Sequence, residues 1–493
     1  MKIPDYEWWI AHAHEDSAYL TLLKSHEYFV HLVTQRATTL QRPDVQGVVN
    51  QATYRALFEQ HRFGSMAAIL EGITPVAPAP PDTTTRHRPL RGRLRPDHKA
   101  IRDDTGPLPL VGVSAFWVPW AFRYDRARLG DFLSWAQEAG FGYVRWFGAH
   151  DWAGGTTPSE VSNYYEVMAH CLEYLAQHGL RSEVTLFSRR AMIPDPVEAA
   201  REWGRVVEAH RDQVCLVEIA NEWNHADNGW TTREVRDAGE AFRAISGAPL
   251  AYSAAAGATW HHDKEPATSD LYRNGLADAC TVHLPRRQDT NERAWRWVRQ
   301  AWHTRHIADA PTIRVDNEHQ RWDKSTPVGT RQVAEAVASL LNALVSGCAM
   351  TCHHDSYGVH NNHGSYHGCG ASAELQQTLR RIVPVLPGDL PNWQPTRVGV
   401  GGGPHPFPGL LDQHWTFAPG PQPGVSRAFA AVRDDRFVMV LSGVRGSVTV
   451  DQYAKPYVVQ CCTTGEQVYA GHGPVTLHDG PVPDTTAYVV TCL

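Results

Sequence analysis

Residues 143–187 read YVRWFGAHDWAGGTTPSEVSNYYEVMAHCLEYLAQHGLRSEVTLF and contain one complete strand–helix–strand unit. YVRWFG and SEVTLF have the composition of short buried strands, and SNYYEVMAHCLEYLAQHG between them carries apolar residues at helical spacing. Two strands joined through a helix are typical of parallel neighbours in one sheet. This stretch therefore predicts an α/β fold with a parallel sheet.

The same alternation continues in both directions from this unit. It begins at the strand LVGVSAFW and ends with CAMTCHH followed by the helix SAELQQTLRRIVPVL. Eight strand–helix units in roughly 280 residues have the number and size of a TIM barrel, a (β/α)8 fold. A doubly wound open sheet also alternates, but no GxGxxG follows the first strand. We therefore predict a TIM-barrel catalytic domain over residues 108–386.

The segments on either side of the barrel have different patterns. Residues 1–75 are predicted to be an N-terminal helical segment, because apolar residues recur there at helical spacing. Residues 76–107 read as a Pro- and Thr-rich linker followed by an entry hairpin. After a Pro/Gly-rich joint, residues 395–493 contain short strands separated by Gly or Pro, which predicts a C-terminal β-sandwich domain.

Composition and charge narrow the range of partners. The chain has 493 residues and a net charge of −6, so no basic excess is available for binding nucleic acid. No apolar run approaches the ~20 residues that span a membrane. The first residues lack a secretory signal pattern, so we expect a cytoplasmic protein.

The nine cysteines form no CxxC pair, which favours reduced thiols. The 17 Trp and 17 Tyr residues suit either a Trp-rich core or stacking on sugar rings.

Two acidic motifs end predicted barrel strands, and functional residues of TIM barrels lie at these ends. The fourth strand ends in Asn221–Glu222, within EIANEWNH, and the seventh ends in Asp316–Asn317–Glu318, within TIRVDNEHQ. Either motif alone would more often be a loop or a salt bridge at the barrel rim. Together they place two carboxyl groups at one mouth. Glycoside hydrolysis uses such a pair, one carboxyl group as acid and the other as nucleophile or base.

These motifs resemble those of the clan A glycoside hydrolases, the cellulase-like families with (β/α)8 barrels. The resemblance implies a retaining glycoside hydrolase that acts on an oligo- or polysaccharide without a cofactor. It implies that Glu222 is the acid/base and Glu318 the nucleophile, and that Asn221 binds the sugar 2-hydroxyl. Arg145 in YVRWFG and His283 in CTVHLP match an arginine on strand two and a histidine on strand six of that clan.

The resemblance covers about residues 90–385, and it is incomplete at strand eight. The clan has a tryptophan there, whereas this chain reads TCHHDSYGVHNN, so His354 would take that place in the substrate site. Trp152, after strand two, is a further candidate for binding substrate, as a platform for a sugar ring. Other tryptophans near strand ends, Trp117, Trp120, Trp223, Trp230 and Trp322, are either platforms or packing residues.

The sequence leaves the nucleophile open between two residues. Asp316 shares a face with Glu318, because side chains alternate along a strand, but it lies about 6.6 Å deeper and is shorter. We therefore favour Glu318 and expect Asp316 to be an interior partner of Arg145 or Arg314. Glu218 shares a face with Glu222 and is expected to be a buried, paired structural acid.

Two other classes of function compete with this interpretation. Two groups of histidines and acids suit a metal-dependent barrel hydrolase. The group after strand eight comprises His353, His354, Asp355, His360, His363 and His367. The group after strand five comprises His261, His262 and Asp263. Strand one lacks the HxH motif that such enzymes use, so we expect no metal. The second alternative is a carbohydrate-binding component of a larger, virion-like assembly, to which residues 1–75 would dock.

Overall fold

A computed structural model describes most of the chain from residue 90 onward. The described ranges are 90–151, 156–255, 271–272, 275–283, 311–317, 330–353, 373–398, 416–417, 428–433, 436–442, 447–450, 456–461, 465–472, 475–478 and 487–492. The chain divides into two compact units. All of the described residues belong to the same unit, which is formed by His87–Val359 together with His367–Leu493. The predicted helical segment 1–75 lies outside the described residues, and the predicted domain boundaries remain predictions.

A small antiparallel sheet precedes the barrel, where the sequence predicts the entry hairpin. Its strands are β1 (Arg95–Asp97), β2 (Ala100–Asp103) and β3 (Gly106–Leu108). Leu94 and Ile101 from this region pack into the hydrophobic cluster formed by the first residues of the barrel strands. The small sheet therefore covers the amino-terminal end of the barrel, opposite the end where the acidic motifs lie.

Eight parallel strands close into a barrel, which confirms the predicted TIM-barrel fold. In chain order they are β4 (Leu110–Ser114), β5 (Tyr143–Ala149), β6 (Arg181–Phe187), β7 (Val214–Ala220), β8 (Leu250–Ala255), β9 (Ala279–His283), β10 (Ile313–Asn317) and β11 (Met350–His353). Strand β11 pairs with β4 and thereby closes the ring. Every residue of β5, β6 and β7 is buried, as expected for strands covered on both faces.

The lower interior of the barrel is filled by side chains. Tyr143 is fully buried there beside Gly112 on the neighbouring strand. A Cβ atom at position 112 would lie 2.3 Å from Tyr143 Cζ, so only glycine leaves room for the ring. Side chains thus fill the barrel near the amino-terminal ends of its strands, so a functional site would lie at the carboxyl-terminal ends.

The described helices flank the barrel strands. They are α1 (Val118–Tyr124), α2 (Arg126–Ala139), α3 (Tyr164–Gln177), α4 (Pro196–Ala209), α5 (Thr232–Arg243), α6 (Thr330–Val345) and α7 (Ala373–Ile382). Their ends follow ordinary capping chemistry: the Asp195 carboxylate accepts from the first turn of α4, and Thr231 and Glu234 form a capping box on α5. No described helix is long and apolar enough to cross a membrane.

The described residues after the barrel form two antiparallel sheets, which fits the predicted extra β-domain. The six-stranded sheet has the order β12–β14–β15–β20–β17–β18, and the three-stranded sheet has the order β13–β16–β19. Their bounds are β12 (Gln394–Val398), β13 (Thr416–Phe417), β14 (Ala428–Arg433), β15 (Arg436–Ser442), β16 (Ser447–Val450), β17 (Tyr457–Cys461), β18 (Gln467–Gly471), β19 (Val475–His478) and β20 (Ala487–Cys492). Strands β14, β15 and β20 pack against helix α6.

The described cysteines behave as buried apolar residues. The described cysteines Cys171, Cys215, Cys280, Cys348, Cys352 and Cys461 are all buried. Burial raises the pKa of the Cys171 and Cys215 thiols well above the ordinary value. Both thiols are therefore protonated and unreactive at neutral pH.

Candidate active site

The candidate site lies at the carboxyl ends of the barrel strands, where β7, β8 and β9 meet. Asn221 and Glu222 follow the last residue of β7, and His283 is the last residue of β9. The Glu222 side chain is 21% exposed, whereas the His283 side chain is 1% exposed. Glu222 thus presents a carboxyl group at the mouth, supported from below by buried groups.

Glu222 has a left-handed backbone, with φ of +39°. For a residue other than glycine, this conformation costs on the order of 1–3 kcal/mol and needs support from its surroundings. The amide of Glu222 donates to Ser253 Oγ at 3.3 Å, and the amide of Trp223 donates to the Ser253 carbonyl at 3.1 Å. Asn228 Nδ2 donates to the carbonyl oxygens of Asn221 at 2.9 Å and Glu222 at 3.1 Å. Strand β8 and the Asn228 amide together hold the turn that presents the carboxyl group.

His283 connects the Glu222 carboxyl to the barrel interior. Its Nδ1 lies 3.1 Å from Glu222 Oε1, and its Nε2 lies 2.8 Å from Ser253 Oγ and 3.2 Å from Arg145 Nη2. A guanidinium nitrogen can only donate, so we assign Nε2 as the acceptor of that contact. The ring proton is therefore on Nδ1, from which it is donated to Glu222. This hydrogen bond fixes the direction of the carboxyl group.

Arg145 lies on β5 and is fully buried beneath the mouth. Its Nε and Nη2 donate to the same Glu218 oxygen, Oε2, at 3.0 and 2.9 Å. Nη2 also donates to Asn221 Oδ1 at 3.1 Å. The guanidinium thus links the deep acid Glu218 to the side chains of Asn221 and His283 at the mouth.

Glu218 is a buried carboxylate with strong partners, as the sequence led us to expect. Besides Arg145, it accepts from Thr185 Oγ1 at 2.5 Å and from Asn317 Nδ2 at 3.2 Å. Burial raises the pKa of Glu218, but Arg145, then His283, and the hydrogen bonds from Thr185 and Arg145 outweigh burial and bring the pKa below the ordinary value. Glu218 is therefore ionised at neutral pH and balances the Arg145 charge.

A second carboxyl group, Glu183 on β6, lies beside this pair. It is fully buried, and its Oε1 accepts from Asn317 Nδ2 at 2.5 Å and lies 3.8 Å from Arg145 Nε. Burial, and then the Glu218 charge, raise the pKa of Glu183 to about 8. Of these two described carboxyl groups, Glu218 is ionised at neutral pH and Glu183 holds a proton.

The structure brings four of the candidate site residues into one hydrogen-bonded group: Arg145, Asn221, Glu222 and His283. The candidates Glu318, Trp152 and His354 lie outside the described residues. Their positions, and the separation of the Glu222 and Glu318 carboxyl groups, remain predictions.

The described contacts do not show the expected pairing of Asp316 with Arg145, and a pairing with Arg314 remains a prediction. The ion-pair partners of Arg145 there are Glu218 and Glu183. Asn317, not Asp316, reaches into the barrel, and alternation along β10 turns Asp316 to the opposite face.

Several residues of this group have no counterpart among the sequence candidates. Ser253 and Asn228 support the Glu222 turn, and Glu183, Thr185 and Asn317 line the interior below it. Period-two alternation could have put Glu183 and Thr185 on one face of β6. Nothing in the local sequence marks Ser253 or Asn228, because their role depends on the approach of separate segments.

Three of the tryptophans named as possible sugar platforms are buried in the structure. Trp117 packs against Phe132, and Trp230 stacks on Phe187 with its Nε1 donating to the Ser188 carbonyl. Trp223 is 4% exposed. These three residues belong to the packed upper rim of the barrel.

Almost all of the histidines and acids that could form a metal site lie outside the described residues. His353 is described and ends β11, whereas His354, Asp355 and the histidines after them are not. Within the described ranges, no group of three or more His, Cys, Asp or Glu side chains has a geometry suited to a metal ion.

The closed parallel barrel with an additional β-domain defines the fold class: the protein is a (β/α)8 barrel with a glycosidase-like fold. A solved structure from Bacteroides vulgatus ATCC 8482, named as a candidate glycoside hydrolase, matches with a TM-score of 0.50 and 10% identity, over 82% of this chain and 83% of that chain. A conserved exported protein from Bacteroides fragilis matches with a TM-score of 0.49 and 9% identity, over 78% of this chain and 97% of that chain.

A GH5_18 protein from Streptomyces cattleya, solved in complex with GlcNAc, has a TM-score of 0.41 and 16% identity, over 57% of this chain and 82% of that chain. No protein-family model matches the sequence, and no curated protein does. At these identities the similarity concerns the fold, so the argument for function rests on the site.

Proposed function

We propose that the protein is a retaining glycoside hydrolase that cleaves an oligo- or polysaccharide with two glutamates. Glu222 is the acid/base, and Glu318 is the nucleophile. The observation that carries the proposal is the Glu222 carboxyl group, which stands at the barrel mouth on a left-handed turn and accepts the Nδ1 proton of His283. Strained backbone with this much support is characteristic of functional positions.

We infer the mechanism from the roles proposed for the two glutamates. Glu222 donates a proton to the departing glycosidic oxygen while Glu318 attacks the anomeric carbon and forms a glycosyl–enzyme ester. Glu222, now ionised, then takes a proton from water, and that water breaks the ester and regenerates both carboxyl groups. His283 holds Glu222 in the same orientation through both steps, because its Nδ1–H can donate to the carboxylate throughout.

Asn221 is suited to bind the sugar in this scheme. Its Oδ1 accepts from Arg145, so the oxygen is occupied and the amide Nδ2 is the group left to donate. A donor next to the acid can bind a sugar 2-hydroxyl oxygen, an interaction that strengthens in the transition state of glycoside hydrolysis. Trp152 and His354 complete the proposed substrate site.

The test is a screen of aryl glycosides, covering several sugars in both anomeric forms, with the wild type and the Glu318→Gln variant. We expect hydrolysis of at least one substrate by the wild type and loss of that hydrolysis in the variant. An experimental structure should place the Glu222 and Glu318 carboxyl groups about 5–5.5 Å apart, as retention requires. A separation beyond ~12 Å would remove Glu318 from the mechanism.

A further inference from the structure

The barrel interior below the mouth holds two fully buried carboxyl groups that share one amide and one guanidinium. Asn317 Nδ2 donates to Oε1 of Glu183 at 2.5 Å and to Oε1 of Glu218 at 3.2 Å. Arg145 donates twice to Glu218 at 3.0 and 2.9 Å, but its Nε lies 3.8 Å from Glu183. In the described part of the chain, Arg145 supplies the only guanidinium or ammonium group within 4.0 Å of either carboxyl.

The arrangement favours one negative charge rather than two. A buried ion is tolerated when it is paired and hydrogen-bonded, and a second carboxylate without its own cation is costly. Besides Arg145 and Glu218, the titratable groups that act on Glu183 are Tyr143 on β5 and Cys215 on β7, and neither supplies a cation. His283 on β9 lies beside Glu218 instead, with its Nε2 4.0 Å from Glu218 Oε1. The pKa values of Tyr143 and Cys215 are raised well above the ordinary values, so both groups are neutral.

We propose that Glu183 is a protonated positioning residue, whose neutral state keeps the Arg145 guanidinium on Glu218 and therefore on Asn221 and His283 at the mouth. The proposal rests on the proposed function for its consequence in catalysis, but the proton itself is a property of the folded chain. Ionised Glu183 would compete for Arg145 Nε, which lies only 3.8 Å away. Movement of the guanidinium would then weaken its bonds to Asn221 Oδ1 and His283 Nε2.

The proposal predicts an upper limit to the pH range in which the site at the barrel mouth stays ordered. Burial and the Glu218 charge raise the pKa of Glu183 to about 8, so its proton is lost above that pH. The mouth should therefore be well ordered below about pH 8 and lose its order above it. Glutamine at position 183 imitates the protonated carboxyl in size and in its lack of charge, so a Glu183→Gln variant should keep the order to higher pH.

The first test uses NMR on the full chain and needs no substrate. With glutamate labelled at Cδ, we expect one carboxyl resonance to titrate with a midpoint near pH 8 in the wild type. That resonance should be absent from Glu183→Gln and retained in Glu222→Gln. Buried arginine Nε–H resonances should shift with the same midpoint in the wild type and stay constant in Glu183→Gln. Absence of a glutamate titration between pH 7 and 9, or its persistence in Glu183→Gln, would overturn the proposal.

The second test measures kcat/KM between pH 5 and 10 with a 2,4-dinitrophenyl glycoside of whichever sugar the screen identifies. This leaving group needs no proton, so deprotonation of Glu222 does not limit its departure. We expect kcat/KM of the wild type to fall about tenfold per pH unit above about 8. Glu183→Gln, relative to its own value at pH 6, should stay level to pH 9. An unchanged alkaline fall in Glu183→Gln would overturn the positioning role.

The two tests separate this inference from the proposed function. If no aryl glycoside is cleaved, the proposed function fails, while the carboxyl titration and the arginine shifts still decide whether Glu183 holds a proton and positions Arg145. If glycosides are cleaved but no carboxyl titrates near pH 8, the inference fails and the proposed function stands.

Discussion

Replacing Glu183 by glutamine is expected to change how the stability of the protein depends on pH. Glu183 is fully buried, and its pKa rises from an ordinary value of 4.5 to about 8. The unfolded chain therefore releases this proton above about pH 4.5, while the folded chain keeps it until about pH 8. Between these values the folded state binds one more proton, so the free energy of unfolding falls as the pH rises.

The size of the effect follows from that interval, which spans about 3.5 pH units. Each unit corresponds to about 1.4 kcal/mol, so the greatest loss of stability attributable to Glu183 is about 5 kcal/mol. Glu218, whose pKa is lowered, works in the opposite direction, because its stabilising contribution is present above pH 4.5 and disappears in acid. Comparing the wild type with Glu183→Gln isolates the first contribution, for which we expect about 3–5 kcal/mol in favour of the variant at pH 8 relative to pH 4.5.

The assay is urea unfolding followed by tryptophan fluorescence at pH 4.5, 6, 7, 8 and 9. The matched control is Glu198→Gln, which makes the same chemical change at a side chain that is 49% exposed on helix α4. The control should differ from the wild type by less than about 0.5 kcal/mol at every pH. If the wild type and Glu183→Gln keep a constant difference from pH 4.5 to 9, then Glu183 does not hold a proton in the folded state and our account of the barrel interior is wrong.

Three further predictions concern the mouth. Asn228→Ala removes both hydrogen bonds to the Glu222 turn and should lower kcat at least tenfold, most for substrates with poor leaving groups. The control is Asp227→Ala, at a neighbouring side chain that is 81% exposed, which should leave kcat within twofold. Equal effects in the two variants would contradict a role for Asn228 in holding the turn. Glu222→Ala should still form the glycosyl–enzyme from a dinitrophenyl glycoside, and azide should restore its turnover. Glu318→Ala should be inactive on substrates with every leaving group. Full activity of Glu318→Ala would point to Asp316 as the nucleophile. Activity should survive exhaustive treatment with EDTA, because carboxyl groups supply both the proton and the nucleophile; activity lost with EDTA and restored by zinc would favour the histidine cluster instead.

The barrel was predictable because its evidence is local. Each strand and helix carries its own periodicity, and the number and order of the units leave few architectures. The position of the acidic motifs at strand ends followed from the same count. The resemblance to clan A enzymes then singled out Arg145 and His283, and the structure places both beside Glu222 or its immediate partners.

The interior acids show where sequence reasoning stops. Alternation correctly put Glu218 below Glu222, but the same rule, applied from Glu318, assigned Asp316 to the interior, where the structure has Asn317. Alternation states which residues share a face, and it does not state which face is inward. That choice depends on how β10 pairs with β9 and β11, a property of the closed sheet.

Local sequence patterns were sufficient to predict the (β/α)8 architecture and the extra β-domain, and they put Asn221 and Glu222 at the end of a barrel strand. Which side chains meet depends on the folded barrel: Glu183 and Asn317 are 134 positions apart, and Arg145 and His283 are 138 positions apart. Propensity and periodicity act over a few residues, whereas these contacts depend on the register of eight strands and on the burial of their charges. The protonation of Glu183 arises in the same way, because burial and a neighbouring carboxylate exist only once the barrel has closed.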